Sequence, residues 1–204
     1  SEQLSSNMAT IYRAGGVRIV GPIRQTISIE MSFDGGCRTP VVAGAGCEIV
    51  INKGTRMYPV EEPIEERIQI REYPMGGGHT SNKMEYKGLL IGLRVVCEHV
   101  RNTRFKCPNY NCTVKLTVKG DSELVINQMN GSYEARDMKH MNERATNLLS
   151  EIEDEVDSLL VTFRHIPREQ NTAADGLANE AMDEQRSWYT VYSNCDKYHL
   201  YGRS

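Results

Sequence analysis

The sequence predicts an α/β fold in which a mixed five-stranded sheet is flanked by helices. Apolar residues alternate with polar ones in the first third of the chain, and they recur at steps of three or four in several later segments. The predicted order is three strands followed by alternating helices and strands, which indicates an antiparallel meander extended by parallel strands with helical crossovers. The length of 204 residues suits one such domain with extensions.

Five segments carry the strand pattern. In the first, 27–33, four apolar side chains alternate with polar ones and would line one face: Ile27, Ile29, Met31 and Phe33. Asp34 and two glycines follow this strand as a turn signal. The other predicted strands are 43–51, 64–73, 114–121 and 159–166.

The helical period appears in four segments. From Glu85 onwards, apolar residues step by four or three as far as Val100, and the preceding TSNK (80–83) supplies candidate N-caps. A loop is predicted over 101–112. The remaining helices are predicted to begin at Ser122 and to span 138–157 and 171–182. We expect a domain over 25–184, an N-terminal extension over 1–24 and a C-terminal tail over 185–204.

Composition excludes several classes of protein. No stretch approaches the ~20 apolar residues of a membrane span, no signal peptide is visible, and six cysteines do not form a dense disulfide framework. We therefore expect an intracellular protein with reduced thiols, in a compartment that the sequence does not specify. The formal net charge of −3 argues against a nucleic-acid binder that relies on overall charge, but it is compatible with a local basic patch.

Four acidic residues lie at the ends of predicted elements. Asp34 and Asp121 end strands, while Glu85 and Asp175 lie near helix N-termini on partly apolar faces. Singly, each can be a turn cap or an anion at a helix dipole. Together they predict one site, because such ends can converge on one edge of an α/β sheet. Clustered carboxylates repel one another unless cations are present, and hard oxygen ligands suit Mg²⁺ or Mn²⁺ rather than zinc.

Four motifs, in order along the chain, resemble those of the type 1 ribonuclease H family (ribonuclease HI). FDGGC (33–37) resembles the family's first-strand motif, and TSNKMEYKGLLIGL (80–93) resembles the start of its first helix. KGDSELV (119–125) resembles the motif after the fourth strand, and RHIPREQNTAADGLANEA (164–181) resembles the final strand, loop and helix. The resemblance implies a ribonuclease H-like fold.

The resemblance also implies an activity. Family members hydrolyse the RNA strand of RNA–DNA hybrids, leaving 5′-phosphate and 3′-hydroxyl ends through two-metal catalysis. It implies that Asp34, Glu85, Asp121 and Asp175 bind Mg²⁺, with Mn²⁺ as an alternative. His165 matches the spacing of the family histidine that helps the product leave, and its alternative role is that of a structural residue at a strand end.

Further residues match positions that contact the hybrid in the family. Gly35, Gly36 and Asn82 match positions that meet 2′-hydroxyls or base edges, and Thr80 matches a pocket for a DNA phosphate. Their structural alternatives are turn glycines and helix caps.

A basic patch is a separate candidate for binding nucleic acid. Because the chain is acidic over 151–157, between Asp121 and Asp175 where some family members carry a basic protrusion, a possible substitute lies on the first helix and the predicted loop after it. The alternative is an ordinary charged helix exterior. The residues concerned are Arg94, Arg101 and Arg104.

Two other functions stay open. The domain could be a catalytically silent scaffold or nucleic-acid-binding subunit of a larger assembly, with a protein partner bound through the terminal extensions. It could also be a metal-dependent nuclease that acts on DNA. The four acids favour an enzyme, because a scaffold has no physical reason to keep mutually repelling carboxylates.

Overall fold

The elements follow one another in nearly the predicted order. A computed structural model describes residues 9–12, 18–21, 24–54, 64–106 and 111–193. In chain order the elements are β1 (Ala9–Tyr12), β2 (Arg18–Gly21), β3 (Arg24–Thr39), β4 (Val42–Gly54), β5 (Ile64–Glu72), α1 (Ser81–Lys106), β6 (Asn111–Gly120), α2 (Glu123–Met129), α3 (Lys139–Asp154), β7 (Ser158–His165), α4 (Thr172–Glu184) and β8 (Trp188–Ser193).

The main sheet has the strand order β7-β6-β3-β4-β5-β8. β3, β4, β5 and β8 pair antiparallel, whereas β6 and β7 join the other side of β3 in parallel. This arrangement confirms the predicted mixed sheet and the ribonuclease H-like fold. β1 and β2 form a separate two-stranded antiparallel sheet within the segment predicted as an N-terminal extension.

The predicted count of five strands is wrong, because the main sheet has six. The sixth is β8, which comes from the predicted tail and pairs with β5 so that Tyr189 lies opposite Ile70. Its sequence, WYTVYS, places aromatic residues on both faces of an edge strand, and the strand therefore lacks the alternation that marks a half-buried strand. The division of the chain into extensions and a domain stays a prediction.

The predicted loop over 101–112 is also partly wrong, because α1 continues to Lys106. The apolar stripe of this helix ends at Val100, and the sequence therefore gives no period beyond it. Arg101 donates hydrogen bonds to Glu151 (2.8 Å) and Glu155 (3.3 Å), which anchors this part of α1 to α3 and the residue that follows it. Ion pairs between helices produce no periodic pattern in the sequence, so this last part of α1 could not be predicted.

The apolar stripe of β3 packs beneath α1. Its four side chains, Ile27, Ile29, Met31 and Phe33, are fully buried, and β6 continues the same layer, with Val114 beside Ile27 and Val118 beside Met31. α1 packs closely on this layer, since a Cβ added at Gly92 would lie 2.5 Å from the sulfur atoms of Met31 and Cys47.

α4 covers the opposite face of the sheet. A Cβ added at Gly46 of β4 would lie 2.4 Å from the carbonyl oxygen of Ala174, so the backbones of β4 and α4 are nearly in contact. Helices therefore flank both faces, as predicted. Within the described ranges, no helix combines the length and apolar character needed to span a membrane.

Candidate metal centre and active site

Three of the four predicted carboxylates come together at one edge of the sheet. Asp34 lies in β3, Glu85 in the second turn of α1 and Asp121 directly after β6. One carboxylate oxygen from each lies within 4.8 Å of the others. The parallel pairing of β3 with β6 places Ser32 beside Lys119, and both chains then reach their carboxylates two residues later. Sequence spacing and sheet register thus build the cluster.

Glycine allows α1 to reach this cluster. A Cβ on Gly35 would lie 2.0 Å from the carbonyl carbon of Met84 and 2.4 Å from the nitrogen of Glu85, and no real side chain fits such a gap. A Cβ added at Gly88 would likewise lie too close to the backbone, at 2.4 Å from the carbonyl oxygen of Asp34. Gly35 therefore has a structural reason to be glycine, whereas its contact with a hybrid stays a prediction.

Gly36 is less constrained than Gly35. Its Cβ would lie 3.3 Å from the Cε methyl group of Met182, which is the far end of a flexible side chain. Packing therefore does not explain why residue 36 is a glycine. The role of Gly36 in nucleic-acid binding stays a prediction.

The surroundings of Asp34 and Glu85 raise the pKa values of these two carboxylates. Burial, followed by the charges of Asp121 and Asp175, raises the pKa of Asp34 to about 6. Burial, followed by the charges of Asp34 and Asp121, raises the pKa of Glu85 to about 9. Oε2 of Glu85 is buried without a hydrogen-bond partner in the described part of the chain. A bound cation would relieve both the repulsion and the unsatisfied oxygen.

Asp175 lies beside the cluster of three. Its Oδ1 accepts a hydrogen bond from Nη2 of Arg168 at 2.5 Å, and its Oδ2 accepts one from Nδ2 of Asn179 at 3.0 Å. The charge of Asp175 still raises the pKa of Asp34, which indicates that it faces the same site. The sequence motif predicted that Asp175 belongs to this site, but it did not predict the ion pair between Asp175 and Arg168.

Arg168 is a functional candidate that the sequence analysis missed. Its guanidinium lowers the pKa of both Asp34 and Glu85 against the larger effect of their burial, so its positive charge faces the cluster. Its side chain is 73% exposed. The signal in the sequence was its place in the RHIPREQN stretch, three residues before Asn171.

Asn171 is the second residue that the sequence analysis missed. Its side chain is buried, with 1% exposed, and its Nδ2 donates hydrogen bonds to Oδ1 of Asp121 at 2.8 Å and to the carbonyl oxygen of Phe33 at 2.9 Å. Asn171 therefore ties the ends of β3 and β6 together, directly before α4. The motif contained this asparagine, but its spacing gave it no role.

His165 lies next to the cluster at the end of β7. It is opposite Gly120 in the β6–β7 pairing, and its Nε2 lies 3.2 Å from the backbone oxygen of Asp121. The ring is exposed. This is the strand-end position that the structural alternative predicted, and a catalytic role for His165 stays a prediction.

Thr80 and Asn82 lie at the start of α1. Oγ1 of Thr80 accepts a hydrogen bond from the backbone nitrogen of Lys83 at 3.3 Å, the geometry of an N-cap. Asn82 is exposed and has no hydrogen-bond partner among the residues that the structure covers. Both residues are available at the mouth of the site, and their contacts with a hybrid stay predictions.

The three arginines of the predicted basic patch differ from one another. Arg101 forms ion pairs with Glu151 and Glu155, so its guanidinium is less available to bind a phosphate. Arg94 is exposed and unpaired among the described residues. The side chain of Arg104 lies outside the described residues.

Comparisons with known proteins identify the family of this chain. Residues 33–181 match the family described as "Reverse transcriptase-like". The chain is similar to the uncharacterized protein YpeP of Bacillus subtilis, with 30% identity over 164 residues, which cover 78% of this chain and 59% of that protein. It is also similar to ribonuclease HI of Halobacterium salinarum, with 29% identity over 110 residues, which cover 53% of this chain and 46% of that protein. The chain thus spans about half the length of these relatives.

Two solved structures are similar over most of the chain. The ribonuclease H1 of Halobacterium salinarum has 23% identity and a TM-score of 0.46, covering 77% of this chain and 98% of that one. LC11 ribonuclease H1 in complex with an RNA/DNA hybrid has 27% identity and a TM-score of 0.47, with the same coverage of 77% and 98%. The family match covers well over half of the sequence, and the chain therefore belongs to the reverse transcriptase-like family of ribonuclease H-like domains.

Proposed function

We propose that this protein is a Mg²⁺-dependent ribonuclease H, an endonuclease that hydrolyses the RNA strand of RNA–DNA hybrids and leaves 5′-phosphate and 3′-hydroxyl ends. The observation that carries the proposal is the group of Asp34, Glu85 and Asp121, whose carboxylate oxygens lie within 4.8 Å of one another at the sheet edge. The similarity to a protein named ribonuclease HI supports this substrate class.

The donor atoms fit a hard divalent cation. They are carboxylate oxygens, one of them buried without a hydrogen-bond partner among the described residues, and burial together with their mutual repulsion raises the pKa values of Asp34 and Glu85. Asp34, Glu85 and Asp121, joined by Asp175, would hold Mg²⁺ or Mn²⁺. Such ions, when bound as a pair, activate an attacking water and stabilise the leaving 3′ oxygen.

The protein's own groups position this site. Asn171 fixes the orientation of Asp121, and the close contact of Gly35 with α1 fixes the position of Glu85. Arg168 supplies positive charge beside the carboxylates, where it can contact a substrate phosphate after it leaves Asp175. The exposed amide of Asn82 would meet the hybrid at the start of α1, where it can bond a 2′-hydroxyl or a base edge.

A second candidate function is a ribonuclease H-like module that binds nucleic acid without cutting it. The observation that favours it is the ion pair between Arg168 and Asp175. The guanidinium of Arg168 already neutralises one of the four carboxylates that would otherwise bind a metal ion. In this case the segments before residue 25 and after residue 184 would hold a protein partner.

A cleavage assay separates the two candidates. The protein is incubated with an end-labelled RNA–DNA hybrid, an RNA duplex and a DNA duplex, in Mg²⁺ or in EDTA, alongside Asp34→Asn. We expect cleavage of the hybrid alone, which EDTA and the substitution both abolish. Tight binding of the hybrid without cleavage in Mg²⁺ or Mn²⁺ would support the silent module instead, and cleavage of the DNA duplex would support a DNA nuclease.

A further inference from the structure

A groove lies between α1 and α3, outside the carboxylate cluster. It encloses about 330 Å³, within the range of cavities that bind small ligands. Both helices contribute apolar side chains that are buried or half-buried, and these form its inner surface: Leu90, Ile91, Met141 and Leu148.

Basic side chains and one histidine flank this apolar surface. Lys87 and Arg94 line the groove from α1, and His140 and Arg144 line it from α3. Glu72 also lines the groove and pairs with Lys87 at 2.8 Å. Arg94, His140 and Arg144 are exposed and have no hydrogen-bond or ion-pair partner in the described part of the chain.

The charge of the groove is specific to this part of the two helices. Further along the same helix pair, Arg101 is neutralised by Glu151 and Glu155. Arg94 and Arg144 have no such partners in the ranges that the structure describes, although Arg94 lies only two turns before Arg101 on α1. The groove therefore has unbalanced positive charge that a bound anion can neutralise.

The groove accompanies the helix that carries Glu85. From Glu85 to Arg94 the helix rises by about 14 Å, at 1.5 Å per residue. This length corresponds to roughly four nucleotides at the 3.4 Å spacing of a stacked strand. The same nine residues turn the helix by about 180°, so Arg94 lies on the face of α1 opposite Glu85, and a strand from the carboxylate site would cross the outer surface of α1 to reach the two arginines.

We propose that this groove binds single-stranded nucleic acid, with phosphates on Arg94 and Arg144 and an unpaired base on the apolar surface. Arginine matches phosphate geometry through paired hydrogen bonds. A duplex hides the faces of its bases, whereas a single strand offers them to an apolar surface. This inference rests on the proposed function, because the single strand would be an unpaired end of the hybrid that is bound at the carboxylates.

The test is binding of a fluorescently labelled DNA oligonucleotide of about 15 nucleotides, measured by fluorescence anisotropy in EDTA at several salt concentrations. For Arg94→Gln with Arg144→Gln we expect at least a tenfold weaker affinity, about 1.4 kcal/mol. We also expect the slope of log K against log salt to fall by about 1.4, at 0.7 per lost cation. Met141→Gln should weaken binding several-fold while leaving the slope unchanged.

A matched control removes two arginines elsewhere. Arg67→Gln with Arg186→Gln causes the same change in charge outside the groove and should leave oligonucleotide binding unchanged. If the control variant loses as much oligonucleotide affinity as the groove variant, the change in net charge explains the effect and the proposal is overturned. Unchanged binding in the groove variant would overturn it as well, and so would displacement of the oligonucleotide by a glutamate-rich peptide but not by unlabelled oligonucleotide.

The oligonucleotide assay is independent of catalysis. If the protein cleaves hybrid but oligonucleotide binding does not depend on the groove, only this inference is wrong. If the groove binds as expected but no hybrid is cleaved, the proposed enzymatic function is wrong while the single-strand site stands. Hybrids with a single-stranded tail should bind more tightly than blunt ones, and the groove variant should lose that difference.

Discussion

Asn171 holds Asp121 through a hydrogen bond of 2.8 Å from its buried side-chain amide. The same nitrogen donates to the carbonyl oxygen of Phe33, the residue before Asp34. One amide group thus joins the ends of the two strands that supply two carboxylates. Its geometry depends on the turn that begins at Arg168 and leads into α4.

We expect Asn171→Ala to lower both activity and stability. A buried acceptor on Phe33 and a partly buried one on Asp121 would lose their donor, at a cost of about 1–3 kcal/mol in the free energy of unfolding. Groups that orient metal ligands typically contribute about 10–100-fold to metal affinity or activity. Urea unfolding and hybrid cleavage measure the two effects, with Asn127→Ala on α2 as control. Full activity in Asn171→Ala would contradict its orienting role.

Gly35→Ala should displace α1 from β3. Its Cβ would lie 2.0 Å from backbone atoms of Met84, which cannot move without the helix. We expect a loss of about 1–3 kcal/mol in the free energy of unfolding and weaker Mg²⁺ binding, because Glu85 moves with the helix. Gly36→Ala is the control for stability, since its Cβ meets only the flexible end of Met182. Thermal unfolding and calorimetric titration with Mg²⁺ measure the two effects, and equal stability of both variants would disprove the steric explanation.

The stability of the metal-free protein should fall as the pH rises. The folded state raises the pKa of Asp34 to about 6 and that of Glu85 to about 9, so it binds more protons than the unfolded chain over this range. The penalty is absent below the ordinary carboxylate pKa of about 4. It grows from about pH 4 to pH 6 for Asp34 and to pH 9 for Glu85, because each group is then ionised in the unfolded chain but still protonated in the folded state, and it is constant above those values.

Urea unfolding between about pH 5 and pH 9 in EDTA measures this dependence. Glu85→Gln removes one of the two titrating groups, so it should flatten the curve at the alkaline end. Saturating Mg²⁺ should flatten the whole curve, because a cation stabilises the ionised carboxylates. Stability that rises with pH in EDTA would contradict the burial of these groups.

Removal of the Arg168 charge should strengthen metal binding. Its guanidinium pairs with Asp175 and opposes the negative charge of the cluster, so Arg168→Ala should bind Mg²⁺ several-fold more tightly. Arg168→Lys keeps the charge and should stay near the original affinity. Isothermal titration without nucleic acid separates this effect from substrate contacts. Weaker Mg²⁺ binding in Arg168→Ala would show that Arg168 supports the metal site in another way.

The sequence predicted those features of the site that depend on strand and helix ends. Asp34 and Asp121 each end a predicted strand, and Glu85 lies at the start of a predicted helix, so their convergence at one edge of the sheet could be predicted from these element ends. Arg168 and Asn171 lie in a turn without a period, and their roles depend on distances between elements. β8 was missed because an edge strand with aromatic residues on both faces has no alternation, and the groove depends on the placement of α3 beside α1.

The contact between Gly46 and the backbone of Ala174 has a consequence for the whole edge of the sheet. Together with the close packing of Gly88 on Asp34, it brings the backbones of α1 and α4 against opposite faces of the same part of the sheet. Glu85 and Asp175 lie on these two helices, so the distance between their side chains depends on both contacts. A methyl group added at Gly46 would push α4 off the sheet and move Asp175 away from Glu85 without touching either side chain.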